Sequence, residues 1–68
     1  MNEIKITTEY IRLDSFLKLA GASFSGGEAK VIIQEGKVAV DGEICTMRGK
    51  KLRVGDTVAY AGNQYRVI

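Results

Sequence analysis

The chain has 68 residues, of which 46% are hydrophobic and 26% charged, with a formal net charge of +2, one cysteine, and no histidine, proline or tryptophan. That length makes a single domain, 1–68, with a thin core, because a domain of this size buries only about 60% of its unfolded surface. One cysteine excludes an internal disulfide, the lack of histidine removes the usual zinc sets, and no apolar run reaches the length of a membrane span or a secretory leader, so a cytoplasmic protein without a membrane partner is expected.

Residues 2–7 alternate, with Ile4 and Ile6 on one face and Lys5 and Thr7 on the other, which predicts a half-buried strand. Leu13, Phe16, Leu17 and Ala20 then fall at i, i+3, i+4 and i+7, the stripe of a core-facing helix, with Asp14, Ser15 and Lys18 opposite and Gly21 as its stop. Lys18 lies one turn after Asp14, the spacing of an ion pair. A second helix starts at Ser25, whose S-x-x-E spacing to Glu28 is that of a capping box, and Phe24 is placed to staple onto Ala29. Ala29, Ile32 and Ile33 form its inward stripe and Gly36 ends it.

Gly26 and Gly27 in the first turn are unusual, since glycine costs up to about 1 kcal/mol relative to alanine in a helix interior. Two readings account for them: close packing between the helices, or the approach of a ligand to the backbone.

After Gly36, Lys37–Val40 reads as a strand and Asp41-Gly42 as a hairpin turn, returned by Glu43–Thr46. A two-residue loop sets Val40 across from Glu43, and one more loop residue sets it across from Ile44. Cys45 reads as a small hydrophobe beside that strand. Met47–Lys51 is a basic connection, Val54-Gly55-Asp56 a turn, Thr57–Tyr60 a strand, and Ala61-Gly62-Asn63 a last turn returned by Gln64–Ile68. With the first strand expected beside the last, the predicted order is β-α-α-β-β-β-β, an α+β domain with a helix pair on a small twisted sheet.

Charge is unevenly spread. Residues 1–36 hold four basic and five acidic side chains, a net of −1, whereas 37–68 hold six and three, a net of +3. Arg48, Lys50, Lys51 and Arg53 lie within six positions with no acid among them, which favours a polyanionic partner. Nothing in the chain has the spacing of a nucleophile with its base, a Walker loop or a dinucleotide fingerprint, so no enzyme and no cofactor is expected.

The order Arg12-Leu13-Asp14, Phe16-Leu17, Ser25 with Glu28-Ala29-Lys30, Ile33, Gly36, Val38, Val40-Asp41-Gly42 and Val54-Gly55-Asp56 resembles the S4 RNA-binding domain. With Ser-Gly-Gly-Glu-Ala-Lys at the second helix, the chain is most similar to short bacterial proteins made of this domain alone, the YaaA/YbcJ-like group. The resemblance implies an alpha-L fold and non-catalytic binding of structured RNA, ribosomal RNA or tRNA, as a ribosome-associated or ribosome-assembly accessory factor and a monomer. The alternative is a small protein–protein adaptor that keeps the fold without RNA binding.

The candidate RNA-binding residues are Arg12, Ser25, Gly26, Gly27, Lys30, Lys37, Arg48, Lys50, Lys51 and Arg53. Arg12 stands at the family's motif arginine, where its guanidinium either grips phosphate bidentately or pairs with a nearby carboxylate. Many family members have arginine directly after the capping serine, where this chain has Gly26. The N–H groups of Gly26, Gly27 and Glu28 at the helix start are an alternative anion dock there. Lys30 lies off the apolar stripe, and Lys37 with the 48–53 cluster is suited to phosphates rather than to base edges. Asp14, Asp41 and Asp56 are assigned to structure. Of the aromatics only Tyr10 falls near the basic residues, which favours recognition of folded RNA over a single-strand stacking platform.

Overall fold

The computed structural model describes all of residues 1–68. Its elements are strand β1 (Asn2–Ile4), strand β2 (Ile11–Arg12), helix α1 (Leu13–Leu19), helix α2 (Gly26–Gln34), and strands β3 (Val38–Val40), β4 (Glu43–Ile44), β5 (Lys51–Leu52), β6 (Thr57–Tyr60) and β7 (Asn63–Val67). The α+β architecture is as expected, two helices packed on a sheet. Two short strands, β2 and β5, add to the predicted order and form a separate antiparallel ladder.

The main sheet has the order β1-β7-β6-β3-β4, with β1 parallel to β7 and every other pair antiparallel. The first strand does lie beside the last. It is shorter than 2–7, although the Ile6 N–H still donates to the Ile68 carbonyl at 2.9 Å and prolongs the pairing by main-chain contact. The return strand likewise stops at Ile44 rather than Thr46.

Both tight hairpins have two-residue loops whose central residues are left-handed. Asp41 and Gly42 have φ of 50° and 86°, Ala61 and Gly62 of 52° and 80°. These mirror-image turns match the strand twist, and they fix Val40 opposite Glu43 and Tyr60 opposite Asn63. Asn63 is therefore the first residue of β7 and not part of the turn. Asp41 also ties its turn to β6, accepting from the Thr57 N–H at 2.9 Å. Asp56 accepts from the Arg53 N–H at 2.9 Å in the turn before that strand.

Strand alternation sends Val38, Val40, Val58, Tyr65 and Val67 to the helix-covered face, while Glu3, Gln64 and Arg66 face solvent. Against that face sit Leu13, Phe16 and Leu17 of α1 and Ala29, Ile32 and Ile33 of α2, so both predicted stripes form the core. Phe16 meets Tyr65 edge to face, with centroids 6.2 Å apart and planes at 86°, a geometry worth about 0.5–1.5 kcal/mol beyond the area it buries. Cys45 packs against this core from its edge, half-buried. Phe24 does not staple onto Ala29: its residue is 94% exposed. Ala29 is wholly buried beneath the core and leaves no surface for the ring to cover.

Candidate nucleic-acid interface

The β2–β5 ladder carries the basic cluster. Its register pairs Ile11 with Leu52 and Arg12 with Lys51. Leu52 is fully buried and Ile11 half-buried, so the ladder's inner face is anchored in the core. Alternation then places Tyr10 and Arg12 of one strand and Lys51 and Arg53 of the other on its outer face. Arg12 and Lys51 are like charges directly opposite, an arrangement that destabilises a sheet unless something offsets it. Asp14 supplies part of the offset: its Oδ2 lies 3.2 Å from the Arg12 guanidinium. Asp14 therefore pairs with Arg12, and the expected pair with Lys18 is not formed.

The segment between β4 and β5 is stapled to the start of α1. The Leu13 N–H donates to the Lys50 carbonyl at 2.8 Å and the Asp14 N–H to the Arg48 carbonyl at 3.1 Å. Two donors that a helix start leaves unpaired are thereby satisfied by the basic segment's own main chain. The Arg12 guanidinium lies over Gly49, where an added Cβ would stand 3.8 Å from it. Five cations, Arg12, Arg48, Lys50, Lys51 and Arg53, are thus held by one small frame of ladder, turn and helix start. Four of them, Arg48, Lys50, Lys51 and Arg53, are exposed and make no ion pair.

Tyr10 lies within this frame. The Lys51 ammonium is 4.8 Å from the centroid of its ring and the Arg53 guanidinium carbon 6.0 Å. The residues of the ladder were readable as alternations, Tyr10-Ile11-Arg12-Leu13 and Lys51-Leu52-Arg53. Each is too short to stand out beside a helix period that begins at Leu13.

At the start of α2, Ser25 Oγ accepts from the Glu28 N–H at 3.2 Å, and the Glu28 carboxylate reaches back to the Phe24 N–H, also at 3.2 Å. The capping box forms, with its return bond one residue earlier than the usual arrangement. The Glu28 N–H is therefore occupied, which leaves Gly26 and Gly27 as the free donors of that turn. The packing explanation for these glycines fails. Both are exposed; a Cβ on Gly26 would meet nothing within 4 Å, and one on Gly27 only Ser25 Oγ at 3.8 Å.

Lys30 is exposed on α2 and makes no ion pair. Lys37 pairs with Glu35 at 3.3 Å, past the far end of α2 from Gly26, so it stands apart from the helix start. The link between the helices folds back on α1 through bonds from the Ala22 and Ser23 N–H groups to the Leu17 carbonyl. The α2 start thereby lies toward the end of α1 remote from the ladder, a separation on the order of 10 Å along a seven-residue helix. Beside the cluster, Lys50 also borders a shallow groove of about 480 Å³ with Val40, Ile44, Cys45 and Met47. Among the acidic and cysteine side chains no metal-holding group forms, and no helix is long and apolar enough to cross a membrane.

The sequence model of the S4 domain matches residues 4–68. YbcJ of Escherichia coli, named for RNA binding, is 42% identical over 59 residues, 87% of this chain and 84% of that protein. Its solution structure, described as revealing an alfaL motif involved in RNA binding, superposes with a TM-score of 0.76 at 38% identity, covering 100% of this chain and 87% of that one. RlbA of Bacillus subtilis, named for ribosome maturation, is 49% identical over 61 residues, 90% of this chain and 86% of that protein. An RNA pseudouridine synthase of Aquifex aeolicus is 41% identical over 56 residues, but these are 82% of this chain and only 18% of the enzyme. With nearly its whole length matched and its helix pair and sheet shared with YbcJ, the chain belongs to the S4 domain family.

Proposed function

We propose that this protein binds structured RNA without catalysis, in the cytoplasm, as an accessory factor to the ribosome or its assembly, with ribosomal RNA or tRNA as the ligand. The observation that carries the reading is the set of four exposed, unpaired cations on a frame anchored in the core. Free cations on a rigid frame meet phosphates without first breaking internal ion pairs, and they position a nucleic acid by its backbone rather than reading its bases. The names of YbcJ and RlbA support the same partner.

In this reading Arg48, Lys50, Lys51 and Arg53 neutralise phosphates, and Arg12, held by Asp14 with its side chain half exposed, presents an oriented guanidinium to another. Ser25 shapes the start of α2, where the N–H groups of Gly26 and Gly27, which have no side chain of their own, receive a further phosphate beside the Glu28 carboxylate. Lys30 adds charge along the same helix, and Lys37 contributes only by exchanging Glu35 for phosphate.

The test is association of the purified protein with ribosomal subunits, ribosomal RNA and tRNA across a salt series, beside a variant with Arg12, Lys30, Lys50 and Lys51 neutralised. Salt-sensitive binding to one of them, lost in the still-folded variant, is the expected result. If none of them binds at low salt, the reading fails. The adaptor reading then moves forward on one observation, the groove at the sheet edge flanked by Ile44 and Met47, which are 64% and 66% exposed.

A further inference from the structure

We infer that Tyr10 is a positioning residue of the RNA-binding surface, holding the Lys51 ammonium and the Arg53 guanidinium on its ring so that they meet phosphate as a pre-arranged pair; the inference rests on the RNA-binding reading above. Three observations lead to it. Tyr10 is on the outer face of the ladder and exposed, at 39% for the whole residue, while its ring lies against two side chains of the partner strand's segment. Both cations lie within the range in which a ring attracts them, 4.8 Å for Lys51 and 6.0 Å for Arg53. Neither cation has a carboxylate partner, which leaves the ring as the one group in the structure that restrains their charged ends.

The physical consequence concerns entropy. Lysine and arginine side chains lose considerable rotamer freedom when they are fixed on a ligand. A ring that gathers two of them beforehand lowers that loss without withdrawing their charge, because an aromatic face, unlike a carboxylate, leaves the net positive charge intact. It also explains how two neighbouring cations are kept close against their mutual repulsion. A base stacked directly on Tyr10 is a different arrangement, since the ammonium at 4.8 Å already lies against the ring.

The test combines the free protein with a double-mutant cycle. In the free protein, NMR of the Lys51 ε-methylene protons reads a ring-current shift that Tyr10→Phe keeps and Tyr10→Leu removes. Its absence from the wild type overturns the inference without reference to RNA. For binding, the probe is unfractionated ribosomal RNA or unfractionated tRNA, whichever the wild type binds more tightly. Tyr10→Leu is expected to weaken binding about four- to 25-fold, the product of about two- to fivefold per cation, with the domain still folded. Tyr10→Phe should stay within about twofold of wild type, since it keeps the ring face.

In a Lys51→Met/Arg53→Met background the same Tyr10→Leu change should have almost no further effect. Equal losses in both backgrounds would mean that RNA touches the ring itself, and no loss in either would make Tyr10 a packing residue; each result overturns the positioning role. A wild type that shows the ring-current shift but binds neither RNA refutes the RNA reading, and the positioning role falls with it.

Discussion

Gly27 sets helix stability against ligand access at a single residue. Its backbone is helical, with no positive φ that would require glycine, and a Cβ there has only Ser25 Oγ at 3.8 Å as a neighbour, an ordinary contact. Alanine or leucine should therefore favour the helix by a few tenths to about 1 kcal/mol. Glycine at this site is thus not explained by folding, and the two free N–H groups it leaves open are the chemistry remaining to explain it. Gly27→Leu is predicted to leave the melting temperature unchanged or raised. RNA affinity should fall by at least about tenfold if one charge-assisted hydrogen bond to phosphate is lost. Paired thermal melts and binding isotherms check this. A lowered melting temperature with intact affinity would instead assign the glycine to packing.

At the scale of elements, the two hairpins solve one geometric problem with different residues. Asp41 tolerates the left-handed conformation and uses its carboxylate to bind Thr57, whereas Ala61, at φ 52°, has no side-chain bond to offset the crowding of its Cβ. Ala61→Asn should stabilise the domain by about 0.5–1 kcal/mol, visible as a rise of several degrees in melting temperature for a domain of this size. No rise would show that the β6–β7 turn is not held in this conformation in solution.

The same comparison shows what sequence can and cannot reveal. Asp41-Gly42 and the Ser25–Glu28 box were legible because each signal is complete within four residues. The β2–β5 ladder was not: each strand has two residues, and its partner lies about forty positions away. It is tied in by contacts equally distant in sequence, from the Leu13 and Asp14 N–H groups of α1 to the Lys50 and Arg48 carbonyls. Phe24 misled for a related reason. The staple pattern was present, but tertiary burial of Ala29 removed the surface on which it depends. Of the candidate site, the 48–53 cluster was readable as charge, while its assembly with Arg12 and Tyr10 required the fold.

For the whole molecule, a net charge of +2 is too small to attract RNA by bulk electrostatics, so the proposed binding rests on how that charge is distributed. Four unpaired cations and the Asp14-held Arg12 share one frame, and engaging four or five phosphates implies that log affinity falls against log salt with a slope of about −3 to −4.5. Neutralising Lys50 and Lys51 together removes two of these contacts, and the slope should flatten by about 1.4–1.8. Asp14→Asn tests a different quantity. It frees Arg12 without altering the number of cations at the surface, so the slope should steepen slightly or hold, while affinity reports whether the carboxylate orients the guanidinium or competes with phosphate for it. A slope near zero for the wild type would mean that binding does not proceed through phosphate neutralisation, and the basic frame would lose its assignment. A slope in the stated range that is unchanged by Lys50→Gln/Lys51→Gln would mean that these two lysines make no phosphate contact, with Arg12, Arg48, Arg53, Lys30 and the start of α2 the remaining candidates.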